Sequence, residues 1–209
     1  MRSAVRIVAV AAIVAASVSC GDKVRQGRSP SYLIINSLQA AQGNNPGKLS
    51  GVLFSDVVTM VTQPAPCSTA TPCPTIFGDV AVVTFTGAMK DIGTPQNPLQ
   101  GSSANSITVH SMHISYRRAD GRNTPGVDVP FGFDAAATAT VYVGGSTTIG
   151  FEIVRHAAKE ESPLVQLATS ATIITTICDI TFYGTDQAGN EVSVTGSVQI
   201  DFGNFGDAS

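Results

Sequence analysis

The chain has 209 residues, with 12 Lys and Arg against 15 Asp and Glu and a formal net charge of −3. This mild acidity excludes nucleic acid as a partner, because that role needs a basic surface. Charged residues make up only 13%, about half the usual ~25%, and Val, Ile, Thr, Ser and Gly fill their places, which is a β-sheet composition.

The chain starts with Arg2 and Arg6, an uncharged run from Ile7 to Val18, and small Ser17 and Ser19 before Cys20. A basic start, an apolar stretch and small residues at a cleavage point make a secretory signal peptide over 1–19. The run is shorter than the ~20 residues a membrane-spanning helix needs. The same segment resembles the lipobox of bacterial lipoproteins, in which the cysteine after the cleavage site is acylated and becomes the first residue. Val18 and Ser19 fit that pattern, and Ser17 stands where the family has Leu or another aliphatic residue. The resemblance implies lipidation of Cys20, a membrane partner and a place in the bacterial cell envelope. One acyl chain alone anchors only marginally, so several are needed. The family's inner-membrane retention signal puts Asp directly after the cysteine. Here Gly21 comes first and Asp22 second, which favours the outer membrane, facing the periplasm or the outside. The alternative is an ordinary secretory signal cleaved after Ser19, with Cys20 left as a free thiol.

Residues 20–30 are polar and lack apolar periodicity, and read as a flexible tether. A single domain is expected over 31–205, two small domains being the other option at this length. Strands are expected near 31–38, 51–61, 79–88, 106–118, 137–143 and 147–155, with Gly-, Pro-, Asn- and Ser-rich loops at 39–50, 62–78, 91–105 and 119–136. Within the second loop, Cys67 and Cys73 stand among prolines and small residues. In an oxidising compartment this spacing predicts a small disulfide ring. A zinc site is a weak reading, since about four ligands are needed and no cluster accompanies the pair. Residues 156–167 allow a helical turn, and Pro163 argues against a long helix.

The last segment carries the clearest pattern. Val192, Val194, Val198, Ile200 and Phe202 alternate with Ser193, Thr195, Ser197, Gln199 and Asp201, one face dry and one wet. It pairs with a strand in which Cys178 shares a face with Ile174, Ile180 and Phe182, so Cys178 is expected to be a buried, inert thiol. Residues 172–202 therefore form a long hairpin, and Asp186 caps its turn. About eight strands with turn-rich connections predict an all-β, antiparallel Greek-key β-sandwich with long loops. The closing hairpin, from Thr181-Phe182-Tyr183-Gly184 through Asp186 and Gly189-Asn190, resembles that of bacterial immunoglobulin-like and fibronectin-III-like domains. That resemblance covers about 30 residues and implies an immunoglobulin-like architecture. The antibody-type core is absent, because the chain has no tryptophan.

Candidate sites are few. His110 and His113 are three apart, so a regular strand points them to opposite faces, and only a bulge would let them share a metal. His156, beside Arg155 and Lys159, reads as part of a solvated charge cluster. Asp186, Asn190 and Glu191 offer oxygen ligands for calcium, but only Asp186 lies in the turn proper, and a calcium loop concentrates several carboxylates. Arg117, Arg118 and Arg122 lead into a segment with Phe131 and Phe133, a patch suited to an anionic or sugar ligand. Its competing reading is internal pairing with Asp120, Asp128 or Asp134. No nucleophile elbow, zinc-protease helix or phosphate loop appears, and Glu160-Glu161 are merely adjacent. The chain is thus expected to be a non-catalytic binding or structural module of the envelope, without cofactor, resident metal or catalytic residues, meeting an envelope protein or a glycan. An enzyme or accessory domain for polysaccharide processing is the alternative.

Overall fold

The structure is a computed structural model that describes residues 27–206. The signal segment, Cys20 and most of the tether lie outside the described residues. Two sheets form the body. One holds β1 (Ser31–Ala41), β5 (Asp79–Met89) and β10 (Ser146–Val154) in the order β1-β5-β10. The other holds β2 (Val52–Asp56), β8 (Ile107–Arg117), β9 (Phe133–Val141), β11 (Ile174–Asp186) and β12 (Glu191–Gly203) in the order β2-β12-β11-β8-β9. Two small ribbons decorate the loops: β3 (Thr59–Val61) with β4 (Cys73–Thr75), and β6 (Gly93–Thr94) with β7 (Asn97–Pro98). The chain is an all-β sandwich, and the two main sheets account for the eight strands expected.

Among the paired strands, one pair departs from the antiparallel expectation. β2 runs parallel to β12, Val52 opposite Gln199 and Asp56 opposite Gly203. The segment expected as one strand over 51–61 divides at Val57, whose N–H turns to the Gly203 carbonyl at 2.9 Å. After that turn the chain leaves the sheet and forms β3. The long closing hairpin has the expected partners, with Cys178 opposite Val198 and Ile180 opposite Gly196.

Alternation accounts for the core. Ala81, Val83 and Phe85 of β5 point inward, as do Cys178, Ile180 and Phe182 of β11 and Val198, Ile200 and Phe202 of β12. Phe182 meets Phe85 and Phe151 edge-on, with centroids 4.9 and 5.5 Å apart, the arrangement favoured by the ring quadrupole. Gly196 interrupts the apolar row of β12 for a steric reason. A Cβ there would stand 2.9 Å from both Ile35 and Leu38 of β1, so the glycine lets β1 close over β12. Tyr116 ties the sheets together, donating its hydroxyl to the Ile153 carbonyl at 2.6 Å from a buried position.

The register gives the sandwich two unlike ends. The described chain comes in beside Ser31, which is opposite Met89. At this near end lie the connections 90–106, 142–145 and 187–190. Ala41 pairs with Val80, Ile174 with Phe202 and Asp56 with Gly203 at the far end. There the chain makes its long connections 57–78, 118–132 and 155–173. The last contains a short helix α1 (His156–Lys159) and a 3-10 turn over Leu164–Thr169, with Pro163 between them. Cys67 and Cys73 form the expected disulfide, with Cα atoms 5.4 Å apart.

Candidate functional site

The far end holds a cleft of about 670 Å³, within the range of small-ligand sites. Its floor is buried Ala40, Ala41 and Leu53. Its rim comes from residues 42–50, from Phe54 on β2, from Met60 and Gln63, and from Phe205. Gln42, Asn44, Asn45 and Gln63 bring four primary amides to the wall. Phe54 is 54% exposed and meets Phe205 edge-on at 5.7 Å.

Local sequence explains the shape of the rim. The Asn44-Asn45-Pro46-Gly47 run favours turns. Asn45 N–H donates to the Gln42 carbonyl at 3.0 Å and Lys48 N–H to that of Asn45 at 3.1 Å. Ala40 and Ser50 close the loop with two backbone bonds of 2.8 Å. Gly43 has no substitute here, because a Cβ would lie 2.0 Å from the Gly78 carbonyl oxygen.

Behind the rim sits a buried ion pair. Lys159 and Asp79 are 2% and 1% exposed and 2.9 Å apart. Lys159 also donates to the Asp56 carbonyl at 2.7 Å. Asp79 accepts from the Ser55 hydroxyl at 2.6 Å and from the Gly43 N–H at 3.0 Å. One salt bridge thus holds α1, β5, the end of β2 and the rim loop together. Burial pushes the Asp79 carboxyl above its ordinary value, against the pull of the Lys159 charge. His156 is exposed as expected, 3.7 Å from Glu160, whereas its neighbour Lys159 is buried, because Asp79 awaits it from a distant strand.

The arginines do not gather into one open patch. Arg118 and Arg122 converge on Asp120, at 2.6 and 2.9 Å, and hold its carboxyl far below the usual range. Arg117 lies apart, on the outer face of β8, donating to Asp179 at 2.5 Å. Ser197 donates to the same carboxylate. Burial tends to raise the Asp179 carboxyl, but these bonds together bring it below its ordinary value. Phe131 is 56% exposed and rests against Gly126, where a Cβ would lie 2.4 Å from the ring. Phe133 instead lies under the Arg155 guanidinium, 3.8 Å from its centroid.

The histidines correct the strand-parity argument. Where β8 pairs with β9, the register shifts between Val109 and Ser111, and this bulge turns His110 and Ser111 outward together. His113 also lies outward, between buried Met112 and Ile114. Each ring nevertheless has its own partner: His110 Nδ1 lies 3.0 Å from Ser111 Oγ, and His113 Nδ1 lies 2.7 Å from Asp134. Among the described residues, no group of three His, Cys, Asp or Glu could hold a metal. Asp186 serves the turn, accepting from the N–H groups of Ala188 and Asn190 and from the Asn190 amide. Cys178 is buried, and burial pushes its thiol up, so it stays protonated.

The cleft escaped the sequence reading because its walls come from segments far apart in the chain. Its one local signal was the turn-rich Asn44-Asn45-Pro46-Gly47 run. No protein-family model, curated protein or solved structure matches the chain. Fold and site together define an all-β sandwich with an amide- and aromatic-walled cleft at one end.

Proposed function

We propose that this is an exported, lipid-anchored envelope protein whose immunoglobulin-like sandwich acts as a non-catalytic binding module. The observation that carries this reading is the difference between the two ends. The chain comes in at the near end, while the cleft and the long connections are at the far end. An anchor at Cys20, followed by the tether, would place the membrane on the near side and present the far end outward. Loops on a stiff scaffold are the usual carriers of recognition.

The strand order supports the immunoglobulin-like assignment. With β1, β5 and β10 as strands A, B and E, the second sheet reads A′, G, F, C, C′, a variable-type arrangement without D and C″. Its parallel pair is β2 with β12. Tyr116 and Cys178 are direct neighbours across β8 and β11. They take the places of the antibody core's tryptophan and of one of its two cysteines.

The cleft wall favours binding over hydrolysis. Glycoside hydrolysis generally uses two carboxyl groups facing each other across the substrate. Among the described residues, Asp56 is the one carboxylate lining the cleft, and it is mostly buried, accepting from Thr59 and from the Phe205 N–H.

The test has two parts. Cells given a fatty-acid analogue should label the wild-type protein and not Cys20→Ala, and equal labelling of both removes the anchor. A crosslinking pull-down of the tagged protein from its own envelope should then recover a partner. Joint alanine replacement of Arg117, Arg118 and Arg122 reports whether the arginine surface takes part. Full retention of the partner assigns recognition to other residues.

A further inference from the structure

The wall chemistry of the far-end cleft says what it would hold. Amide side chains carry a donor and an acceptor together, and so do hydroxyl groups, so an amide-lined wall matches a polyhydroxylated ligand. Among the described residues, four amides line this wall, with Lys48 and the hydrogen-bonded Asp56 as its charged members. An anion would want an arginine fork or several cations, and a hydrocarbon chain would leave the amides without partners. Phe54 supplies an exposed ring, steadied by Phe205, against which the C–H face of a sugar ring can lie.

A peptide strand is the other occupant a sheet edge invites. The free edge of β2 is already partly occupied. The Gln42 amide donates to the Phe54 carbonyl at 2.5 Å, Lys159 takes the Asp56 carbonyl, and the Val52 N–H donates to the Ser50 hydroxyl at 3.3 Å. A strand laid here would have to break these bonds before making its own.

We infer that the cleft between residues 42–50, β2 and Phe205 binds a short neutral oligosaccharide, with Phe54 as the stacking platform and Asn44, Asn45 and Gln63 as hydroxyl partners. This rests on the reading of the chain as a binding module and names its ligand class.

The experiment uses the full chain purified in detergent, probed by saturation-transfer NMR and titration. The probes are cellotriose, maltotriose, mannotriose and triacetylchitotriose, with trigalacturonate and a mixed-sequence hexapeptide for comparison. At least one neutral trisaccharide should bind. Phe54→Ala and Asn45→Ala should each weaken it by about tenfold or more, while Tyr142→Ala, an exposed aromatic at the near end, should bind like wild type. An unchanged urea midpoint for Asn45→Ala separates lost binding from lost fold. The inference is overturned if no neutral trisaccharide binds, if trigalacturonate or the peptide binds better, or if both cleft variants bind like wild type. Failure here with Cys20 labelled and a partner recovered removes the sugar site and leaves the binding module standing. Sugar binding without Cys20 labelling removes the anchor alone.

Discussion

Replacing Lys159 by Met tests the buried ion pair behind the cleft. The substitution keeps most of the side-chain volume and removes the charge, leaving Asp79 buried beside Ser55 and Gly43 alone. Breaking a buried pair from one side costs about 3–5 kcal/mol. Two donors remain and Asp79 can take up a proton, so the lower end, about 3 kcal/mol, is expected. With a urea slope of about 2.5 kcal/mol per molar, the unfolding midpoint should fall by about 1 M. The pH dependence follows from the direction of the Asp79 shift. Its folded value already lies above the ordinary 3.8 because of burial, with Lys159 opposing, and loss of Lys159 raises it further. A carboxyl with a raised folded value binds its proton more tightly in the native state. Its contribution to stability therefore grows as pH falls through the folded value and is lost as pH rises through it. The gap between Lys159→Met and wild type should narrow from pH 8 to pH 5. Adding Asp79→Asn should recover more than about 1 kcal/mol at pH 8, since the neutral amide can accept from the Gly43 N–H through its oxygen and donate to the Ser55 hydroxyl through its NH2. A variant midpoint equal to wild type, or a gap independent of pH, would refute the reasoning.

Three further outcomes are expected. Gly43→Ala should lower the thermal midpoint and weaken sugar binding together, because its Cβ would collide with the Gly78 carbonyl, whereas Gly47→Ala, in open space, should do neither. Asp186→Ala should cost about 1–2 kcal/mol in urea unfolding through the lost turn bonds. Burial tends to raise the Asp186 carboxyl, but its hydrogen bonds bring it below the ordinary 3.8. Its stabilisation is thus present above that value and lost as pH falls through the lowered folded one, so the variant should lose less stability than wild type on acidification below about pH 4. Reducing Cys67–Cys73 should cost at most about 2 kcal/mol for so small a ring, and limited proteolysis should find new cuts confined to residues 62–78.

The sheets were legible wherever one face is dry and the other wet. β11 and β12 follow their alternation through Phe182 and Phe202, and even Gly196 keeps phase. β9 was expected from 137 and begins at Phe133, because its first inward residues are Phe133 and Ala135 beside a turn rich in Gly and Pro, which masks the period. The Asp186 turn and the Cys67–Cys73 ring were legible because both are local. Lys159 was not, since its neighbours Glu160 and Glu161 are polar and its partner is Asp79. The cleft needs residues 42–50, β2 and Phe205 side by side, and no short-range pattern encodes that meeting.

The side-chain bonds along β2 have a consequence for how copies of this chain coexist. An unpaired sheet edge is a template for self-association, and molecules tethered to one surface, as the proposed anchor would hold them, meet each other at a raised effective concentration. On β2, Gln42, Ser50 and Lys159 occupy three of the groups a neighbouring copy would seek. At the opposite corner, Thr147 donates its hydroxyl to the Thr140 carbonyl of β9 at 3.0 Å. Both margins of the larger sheet are thus partly occupied from within the molecule, which would let a crowded array of this protein remain a population of separate monomers.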